Sequence, residues 1–385
     1  MTPPRMRGCD PAPVMARIGQ TVRDGRLHAM SRAAHELPDA HTVVDVDPIR
    51  VAPRDEWNEL VARLGGDDVY LRRGWHDSAA LLEVDGTIPV LLHARLDGGE
   101  VALPLLLRPL PGDEAGFDAT SCYGYGGPIA TGAVDLDAFG AALDEWARAN
   151  HVVTTFLRFQ PTLGNHRWCP ATAELIELGA TVAWDVSADR DLMTTMHSHH
   201  RRAVRKAERA GVQVRIVEAP TTLDEFRAMY DHTMRRQDAA EFYFFPDDYW
   251  QALLDDAGGE RVLVDALLGD DAEPVASLLC VAHGEWLHYH LGASADAARN
   301  IGASNACFLA AAQWAQARGL RGFHLGGGVG GGVESPLFTF KHRYDPLAEP
   351  LPFHIAKVVH DMEWYERLAG TSSTAGYFPP WRADA

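Results

Sequence analysis

The sequence lacks several features that mark common classes of protein. Only five of its 385 residues are cysteine; they are scattered, odd in number and without the spacing of zinc ligands, so a reducing cytoplasm fits best. No window approaches the ~18 to 20 apolar residues of a membrane span, and the N-terminus has no apolar run long enough for a signal peptide. We therefore expect a soluble cytoplasmic protein.

Positive charge is also scarce. The chain has 35 Lys and Arg residues against 53 Asp and Glu, a formal net charge of −18. This balance argues against a broad nucleic-acid-binding face, although it leaves room for a local basic patch. The sequence contains no phosphate-binding loop of the G-x-x-x-x-G-K-[ST] type, no nucleotide-binding fingerprint and no nucleophile elbow.

The length and the order of predicted elements indicate two mixed α/β domains. A chain of 385 residues is too long for one small core. We expect a flexible or loosely docked segment over 1–40, a first domain over 41–185 and a second over 186–345. The segment 353–370 has the spacing of an amphipathic helix, and 372–385 has the composition of a flexible tail.

The most informative stretch runs from Trp286 to Tyr344. A predicted strand leads into a loop of small residues, a long Ala-rich helix, a second strand, and a glycine run from Gly326 to Gly332 that precedes Lys341. Enzymes that transfer acyl groups use this order of parts to build a cleft for an activated acyl group and an amine. The order narrows the function without naming a substrate.

Three residues of this stretch are candidates for catalysis: Lys341, His290 and Tyr289. Lys341 lies among aromatic residues, where it either extends to solvent or stands at a cleft and stabilises an oxyanion with its ammonium group. His288 and His290 alternate with Tyr289, so the two imidazoles share one face of the strand. Either could serve as a general base, and a packed histidine is the alternative.

Two loops in this stretch could lie against a ligand. Arg299–Ser304 is one residue off the loop Q/R-x-x-G-x-G/A with which GNAT acyltransferases hold a pyrophosphate. The alternative is an ordinary loop in which Ser304 or Asn305 caps the following helix. The glycine run, including Gly327 and Gly328, permits close approach of the backbone to a substrate, or forms a mobile turn.

A basic helix is predicted over SHHRRAVRKAERAG, from Ser198 to Gly211. The histidines of HSHH suggest a metal cluster, but the neighbouring arginines disfavour a cation, and we predict no metal. A contact with polyphosphate or tRNA through Arg202 and Arg205 is more credible, and a solvated helix face is the alternative.

Several segments together resemble the Fem-like branch of the GNAT superfamily, whose best-known members are the peptidoglycan-bridge aminoacyltransferases. The resemblance covers residues 45–365 and rests on these segments: YGYGGPI (123–129), FLRFQP (156–161), RRAVRKAERAGVQV (201–214), YHLGAS (289–294) and FHLGGG with LFTFK (323–341). It implies two tandem GNAT-like domains with mixed sheets flanked by helices, and a C-terminal helix packed back on the first. It also implies that no metal or redox cofactor takes part.

The resemblance further implies transfer of an aminoacyl group from aminoacyl-tRNA to an amine. Lys341 matches the lysine of the family's F-K motif, which is thought to act on the acyl carbonyl. Gln160 stands where peptidoglycan members have an acidic residue, which suggests an acceptor outside the cell wall, such as a natural-product amine. The function expected from the resemblance as a whole is aminoacyl transfer to a small-molecule amine in natural-product or cell-wall biosynthesis. The expected substrate-binding residues are Arg158, Gln160, Tyr123, Tyr125, Gly327, Gly328, Arg202, Arg205 and Arg299.

Two other functions remain open at this point. The loop at Arg299–Ser304 fits an acyl-CoA-dependent N-acyltransferase, and the same scaffold could hold a metabolite without catalysis. The sequence names neither the amino acid, nor the acceptor, nor the oligomeric state.

Overall fold

The computed structural model describes residues 43–112, 114–269, 273–298, 300–328 and 332–383. The predicted flexible segment 1–40 and the candidate residue Arg299 lie outside these ranges. Within them, no helix combines the length and the apolar character needed to cross a membrane.

The described residues form two compact units. We call residues 43–177 and 354–383 the N-terminal unit, and residues 178–353 the C-terminal unit. Both units are mixed α/β, as the sequence predicts. The sequence placed domain limits at 185 and 345, whereas the division between the units falls inside two strands.

The N-terminal unit begins with a sheet of mostly antiparallel strands. Its strands follow the order β1-β2-β3-β4-β6, with β5 also paired to β3, and β4–β6 is a parallel pair. The elements are β1 (Ile49–Val51), α1 (Trp57–Arg63), α2 (Arg73–Ala80), β2 (Ile88–Leu96), β3 (Gly99–Pro109), β4 (Phe117–Thr120), β5 (Ile129–Gly132), α3 (Leu136–Ala149) and β6 (Val152–Arg158).

Local chemistry explains the most regular of these elements. The carboxylate of Asp135 accepts hydrogen bonds from the backbone N–H groups of Asp137 and Ala138 and so caps α3. Leu143 and Trp146 lie on the helix face that is buried against the sheet. The predicted hairpin between β2 and β3 is confirmed, and Gly98 supplies the positive φ of 87° that its turn needs.

The C-terminal unit has six strands in the order β7-β12-β11-β10-β9-β8. The pair β11–β12 is parallel and the other pairs described are antiparallel. The elements are β7 (Glu174–Asp185), α4 (Leu192–Thr195), α5 (Ser198–Arg209), β8 (Val212–Glu218), α6 (Asp224–Arg236), α7 (Asp247–Asp255), β9 (Glu260–Leu268), β10 (Pro274–His283), β11 (Trp286–Ser294), α8 (Ala303–Ala317), β12 (Gly322–Gly327) and α9 (Pro336–His342).

Helix α8 forms the centre of this unit's core. Ala311, Ala312 and Ala315 are fully buried, and their small side chains let the helix backbone approach the sheet closely. Phe308 fills the remaining space and packs against Phe323 of β12.

The chain then returns to the N-terminal unit through β13 (Leu351–Val359) and α10 (Met362–Ala369). The prediction of one helix over 353–370 was therefore wrong in its first half. The run from Ile355 to Val359 pairs antiparallel with β6, and four consecutive buried residues, Ile355–Val358, suit a strand that is covered on both faces. A short apolar run cannot distinguish these two outcomes by periodicity alone.

The expected flexible tail is packed as far as the described residues reach. Phe378 and Arg382 are each 6% exposed, and Arg382 forms an ion pair with the buried carboxylate of Asp118. The phenol of Tyr365 donates a hydrogen bond to the carbonyl of Ser373. The contact between Arg382 and Asp118 joins residues 264 apart in the chain and has no local signal, which is why the composition of the tail was misleading.

Candidate active site

A gap opens between β11 and β12 near their C-terminal ends. The two parallel strands pair only from Trp286 to His288 on β11 and from Gly322 to His324 on β12. Beyond these residues β12 continues beside β7, through a register shift between His324 and Gly326. The C-terminal ends of parallel strands are a common position for ligand sites in α/β folds.

Lys341 reaches this gap from α9. Ser335 caps the helix by accepting a hydrogen bond from the N–H of Phe338, and Pro336 occupies its first turn. Leu337 and Lys341 lie one turn apart and are both buried, so the lysine belongs to the inward face of the helix. This helix was not predicted from the sequence, which showed only aromatic core residues around a lysine.

The ammonium group of Lys341 has two contacts among the described residues. Its Nζ donates a hydrogen bond to the carbonyl of Gly327 at 2.8 Å and lies 5.4 Å from the centre of the Tyr289 ring. Lys341 is only 7% exposed, and no carboxylate of the described residues lies within ion-pair distance. Burial lowers the pKa of Lys341 to about 7, so protonated and neutral forms coexist near neutral pH.

Tyr289 borders a small, open depression beside this gap. The lining residues come from β10, β11 and α8: Leu278, Tyr289, Gly292, Ala293, Ser294, Ser304 and Phe308. A Cβ on Gly292 would lie 2.5 Å from the phenol oxygen of Tyr289, so a larger residue here would displace that ring. One side of the depression is apolar, formed by Leu278 and Phe308, and another side is formed by Ser304 in the first turn of α8.

The N-terminus of α8 has no side-chain cap in the described structure. The helix begins at Ala303, and its N-cap is Gly302 with φ of 83° rather than Ser304 or Asn305. Ser304 instead lines the depression, and Asn305 donates a hydrogen bond to the phenol oxygen of Tyr344 at 3.0 Å. Uncapped N–H groups at a helix start favour an anionic ligand.

The predicted basic helix, α5, passes directly beside this N-terminus. A Cβ on Gly302 would lie 2.2 Å from the carbonyl oxygen of Ala203, so the loop before α8 rests on the backbone of α5. Arg202 and Arg205 are exposed on α5, on either side of the buried Val204. The loop before α8 and the basic helix α5, which the sequence indicated as candidate phosphate-binding features, therefore lie next to each other.

Helix α5 also supports α9. The ring Nε2 of His200 donates a hydrogen bond to the carbonyl of Phe340 at 2.8 Å, and the backbone N–H of His197 donates to the carbonyl of Arg343 at 2.8 Å. Both carbonyls belong to the C-terminal end of α9, where helical partners are lacking. His200 is therefore a positioning residue for Lys341 that the sequence did not indicate, because HSHH resembled a ligand motif.

The two candidate bases are both engaged by other side chains. His290 Nε2 lies 2.9 Å from the phenol oxygen of Tyr249, and burial lowers the pKa of His290 to about 3. An imidazole with so low a pKa accepts protons poorly. His288 is 1% exposed and packs against the ring of His324.

The glycine run supports α9 where it is described. A Cβ on Gly328 would lie 2.1 Å from the hydroxyl oxygen of Ser335, so glycine allows the start of α9 to pack on the end of β12. Gly327 contributes the carbonyl that binds Lys341. The structure thus brings together Lys341, Tyr289, Gly327 and Gly328.

The other predicted binding residues lie in the N-terminal unit. Gln160 is fully buried, and its amide donates a hydrogen bond to the carboxylate of Asp68 at 2.8 Å. The rings of Tyr125 and Tyr70 pack edge to face at 5.1 Å, and the carbonyl of Tyr123 accepts a hydrogen bond from Trp75. In the described ranges, no group of three or more His, Cys, Asp or Glu side chains is arranged to hold a metal ion.

Residues 195–334 match the sequence profile of the family described as an acetyltransferase (GNAT) domain. The chain contains a GNAT domain. The match includes the β11–loop–α8 unit and β12, and it ends just before α9. The predicted acyltransferase class is therefore confirmed, while the donor and the acceptor are not addressed by this match. No curated protein matches the chain significantly in sequence.

Solved structures show the same fold over most of the chain. FemX superposes with a TM-score of 0.59 at 14% identity, covering 83% of this chain and 99% of its own. The C-terminal domain of a putative lysylphosphatidylglycerol synthetase from Agrobacterium fabrum gives 0.51 at 16%, covering 80% and 91%. L-PGS from Bacillus licheniformis gives 0.51 at 14%, covering 84% and 93%. The predicted resemblance to the Fem-like branch is confirmed at the level of fold.

Proposed function

We propose that this GNAT protein is an amide-forming aminoacyltransferase that moves an aminoacyl group from aminoacyl-tRNA to the amine of a small-molecule acceptor. The observation that carries the proposal is Lys341, a buried ammonium without a carboxylate partner in the described structure, at the gap between β11 and β12. The similarity in fold to FemX and to a lysylphosphatidylglycerol synthetase supports aminoacyl transfer as the reaction class.

In the proposed reaction, the neutral acceptor amine attacks the ester carbonyl of the donor. The new C–N bond forms while the carbonyl electrons move onto oxygen. One N–H of the Lys341 ammonium group donates a hydrogen bond to the carbonyl of Gly327, and its other N–H groups can stabilise this oxyanion. Collapse of the intermediate breaks the ester C–O bond, and the nitrogen proton passes to the leaving oxygen. Because the pKa of His290 is lowered to about 3, we assign the relay to water.

The surroundings of the α8 N-terminus suit a donor that carries phosphates. Uncapped N–H groups at Ala303 and exposed arginines of α5 offer positive potential on adjacent elements. Both tRNA and CoA carry phosphates, so positive potential by itself suits either donor. The basic face of α5, which includes Arg202, Arg205 and Arg209, extends beyond what one pyrophosphate requires and favours tRNA.

The experiment offers both donors with a panel of amines and detects amide products by mass. We expect product with charged tRNA, its loss after RNase treatment, and a weaker reaction with the double variant Arg202→Gln/Arg205→Gln, mainly through a higher KM. The matched control is Arg235→Gln, an exposed arginine on α6. Product with acyl-CoA alone would replace the tRNA assignment by an N-acyltransferase, and no product with either donor would favour a metabolite-binding protein.

A further inference from the structure

Arg158 in the N-terminal unit is a sheltered cation without a counter-ion. It lies at the C-terminal end of β6, and burial lowers the pKa of its guanidinium. Among the described residues, the guanidinium donates one hydrogen bond, which is long at 3.5 Å from Nη1 to the carbonyl of Ser121, and its Cζ lies 5.1 Å from the centre of the Phe156 ring. No carboxylate of the described residues is within ion-pair distance of it.

The neighbouring charges are already balanced by one another. Asp118 pairs with both Arg108 and Arg382, and Glu83 accepts a hydrogen bond from Arg108 at 3.0 Å. Glu83 acts on Arg158 electrostatically, but its carboxylate is committed to Arg108. The cluster therefore holds two carboxylates, those of Asp118 and Glu83, and three guanidinium groups. Its net charge is +1, and the guanidinium that forms no ion pair with these carboxylates is that of Arg158. Arg158 is half-buried. A cation that is partly removed from water and has no carboxylate beside it is costly, so its retention calls for a partner.

The position of Arg158 suits a ligand. Strands β4 and β6 are parallel, and the chain leaves β4 into the loop Ser121–Gly127, whose residues Tyr123 and Tyr125 are partly exposed. The backbone N–H of Arg158 donates to the hydroxyl of Ser121, which ties this loop to the strand end. Tyr377, 51% exposed, is close enough to act on the pKa of Arg158.

We propose that Arg158 forms a binding site for the carboxylate group of a small molecule, bordered by the Ser121–Gly127 loop. A guanidinium presents two parallel N–H donors that match the two oxygens of a carboxylate. The surplus charge of one balances a monoanion, whereas a phosphate dianion would need a second unpaired cation. The site lies in a different unit from Lys341, and its occupant is identified by binding, independently of the proposed transfer reaction.

The test compares two arginines of the same unit, Arg158→Met and Arg108→Met. Thermal unfolding is followed with and without benzoate, with benzamide as the uncharged analogue and inorganic phosphate as the alternative anion. We expect Arg158→Met to fold with an unchanged or higher Tm, because an unbalanced charge is removed. Arg108→Met should lower the Tm, because Asp118 and Glu83 lose a partner. Benzoate should raise the Tm of the wild-type protein and bind at least about tenfold more weakly to Arg158→Met.

Three results would overturn the proposal. Arg158→Met could lower the Tm as much as Arg108→Met does, which would make Arg158 a structural residue. Benzoate could stabilise neither protein, or both equally, which would remove the binding site. Stabilisation by phosphate and not by benzoate, lost in Arg158→Met, would assign the site to phosphate instead.

Discussion

The two buried lysines of the chain, one in each unit, differ in the use of their ammonium groups. Lys341 and Lys357 are 7% and 8% exposed, and each lies near an aromatic ring, at 5.4 Å from Tyr289 and 5.6 Å from Phe378. Lys357 donates hydrogen bonds to two carbonyls, those of Thr374 and Gly376, and so fastens the C-terminal segment. Among the residues that the structure describes, Lys341 donates to one carbonyl, that of Gly327.

This difference separates a structural lysine from a candidate catalytic one. The two side chains are almost equally exposed, so the exposed fraction alone does not distinguish their roles. An ammonium group has three donors, so the number of protein acceptors decides how many remain for a substrate. Lys357 joins two segments of its own unit, while Lys341 keeps donors at a gap between strands.

The largest expected effect comes from exchanging these lysines for methionine one at a time. Lys341→Met should lower the rate of transfer about 10²- to 10³-fold, the usual cost of removing one oxyanion donor. Lys357→Met should keep most of the activity and lose stability instead, by about 1–3 kcal/mol, because two carbonyls lose their donor. Turnover assays measure the transfer rates of both variants, and thermal unfolding measures their stabilities. Equal activity of the two variants would contradict the assignment of Lys341.

The pH dependence of the rate should sharpen the role of Lys341. With a weakly basic acceptor such as hydroxylamine, whose nitrogen stays neutral, only the lysine titrates. Since the ammonium form is required and its pKa is about 7, the rate should fall about tenfold per pH unit above that value. The profile of Lys357→Met should be unchanged. A rate that rises through pH 7 would show that Lys341 acts as a neutral base.

The free energy of unfolding should also depend on pH through Lys341. It should rise with pH, whereas the rate of transfer should fall. The pKa of Lys341 is about 7 in the folded protein and 10.5 in the unfolded chain, so the unfolded chain binds the extra proton between these values. Its burial therefore costs most below pH 7, and the cost fades as the pH approaches 10.5. Lys341→Met should be more stable than the wild-type protein at pH 7, and this gain should shrink on raising the pH. Denaturant unfolding at several pH values tests it, and a gain independent of pH would contradict it.

The smallest expected effect concerns the support of α9 by His200. Because a carbonyl only accepts, Nε2 of His200 carries the proton, and removing it leaves the carbonyl of Phe340 unsatisfied. His200→Phe should cost about 1–3 kcal/mol of stability and lower kcat more than it raises KM, since Lys341 is misplaced.

His199→Phe is the control for this variant, because His199 is exposed one residue away on the same helix. An unchanged kcat in His200→Phe, together with lowered stability, would make His200 structural only.

Much of the fold could be predicted because its signals are local. Helix α3 has a capping aspartate and apolar residues at helical spacing, and the β2–β3 hairpin has glycine at its turn. The errors fall where a distant partner decides. The residues of β13 were predicted as the first half of a helix, and they form a strand because β6 is available to pair with them. The start of α8 at Gly302 likewise follows from its packing on Ala203.

The sequence by itself indicated most of the order of elements, though neither α9 nor β13. It also indicated the acyltransfer class, through the Trp286–Tyr344 stretch, and the presence of a lysine after an aromatic residue near the end of that stretch. Only the tertiary structure decided what that lysine is. Its pKa depends on burial among β11, β12 and α9, and its support depends on His200, 140 residues from Phe340 in the chain. Likewise, only the folded N-terminal unit shows that Arg108 is paired and Arg158 is not. Desolvation and charge pairing are set by neighbours in space, which spacing along the chain does not give.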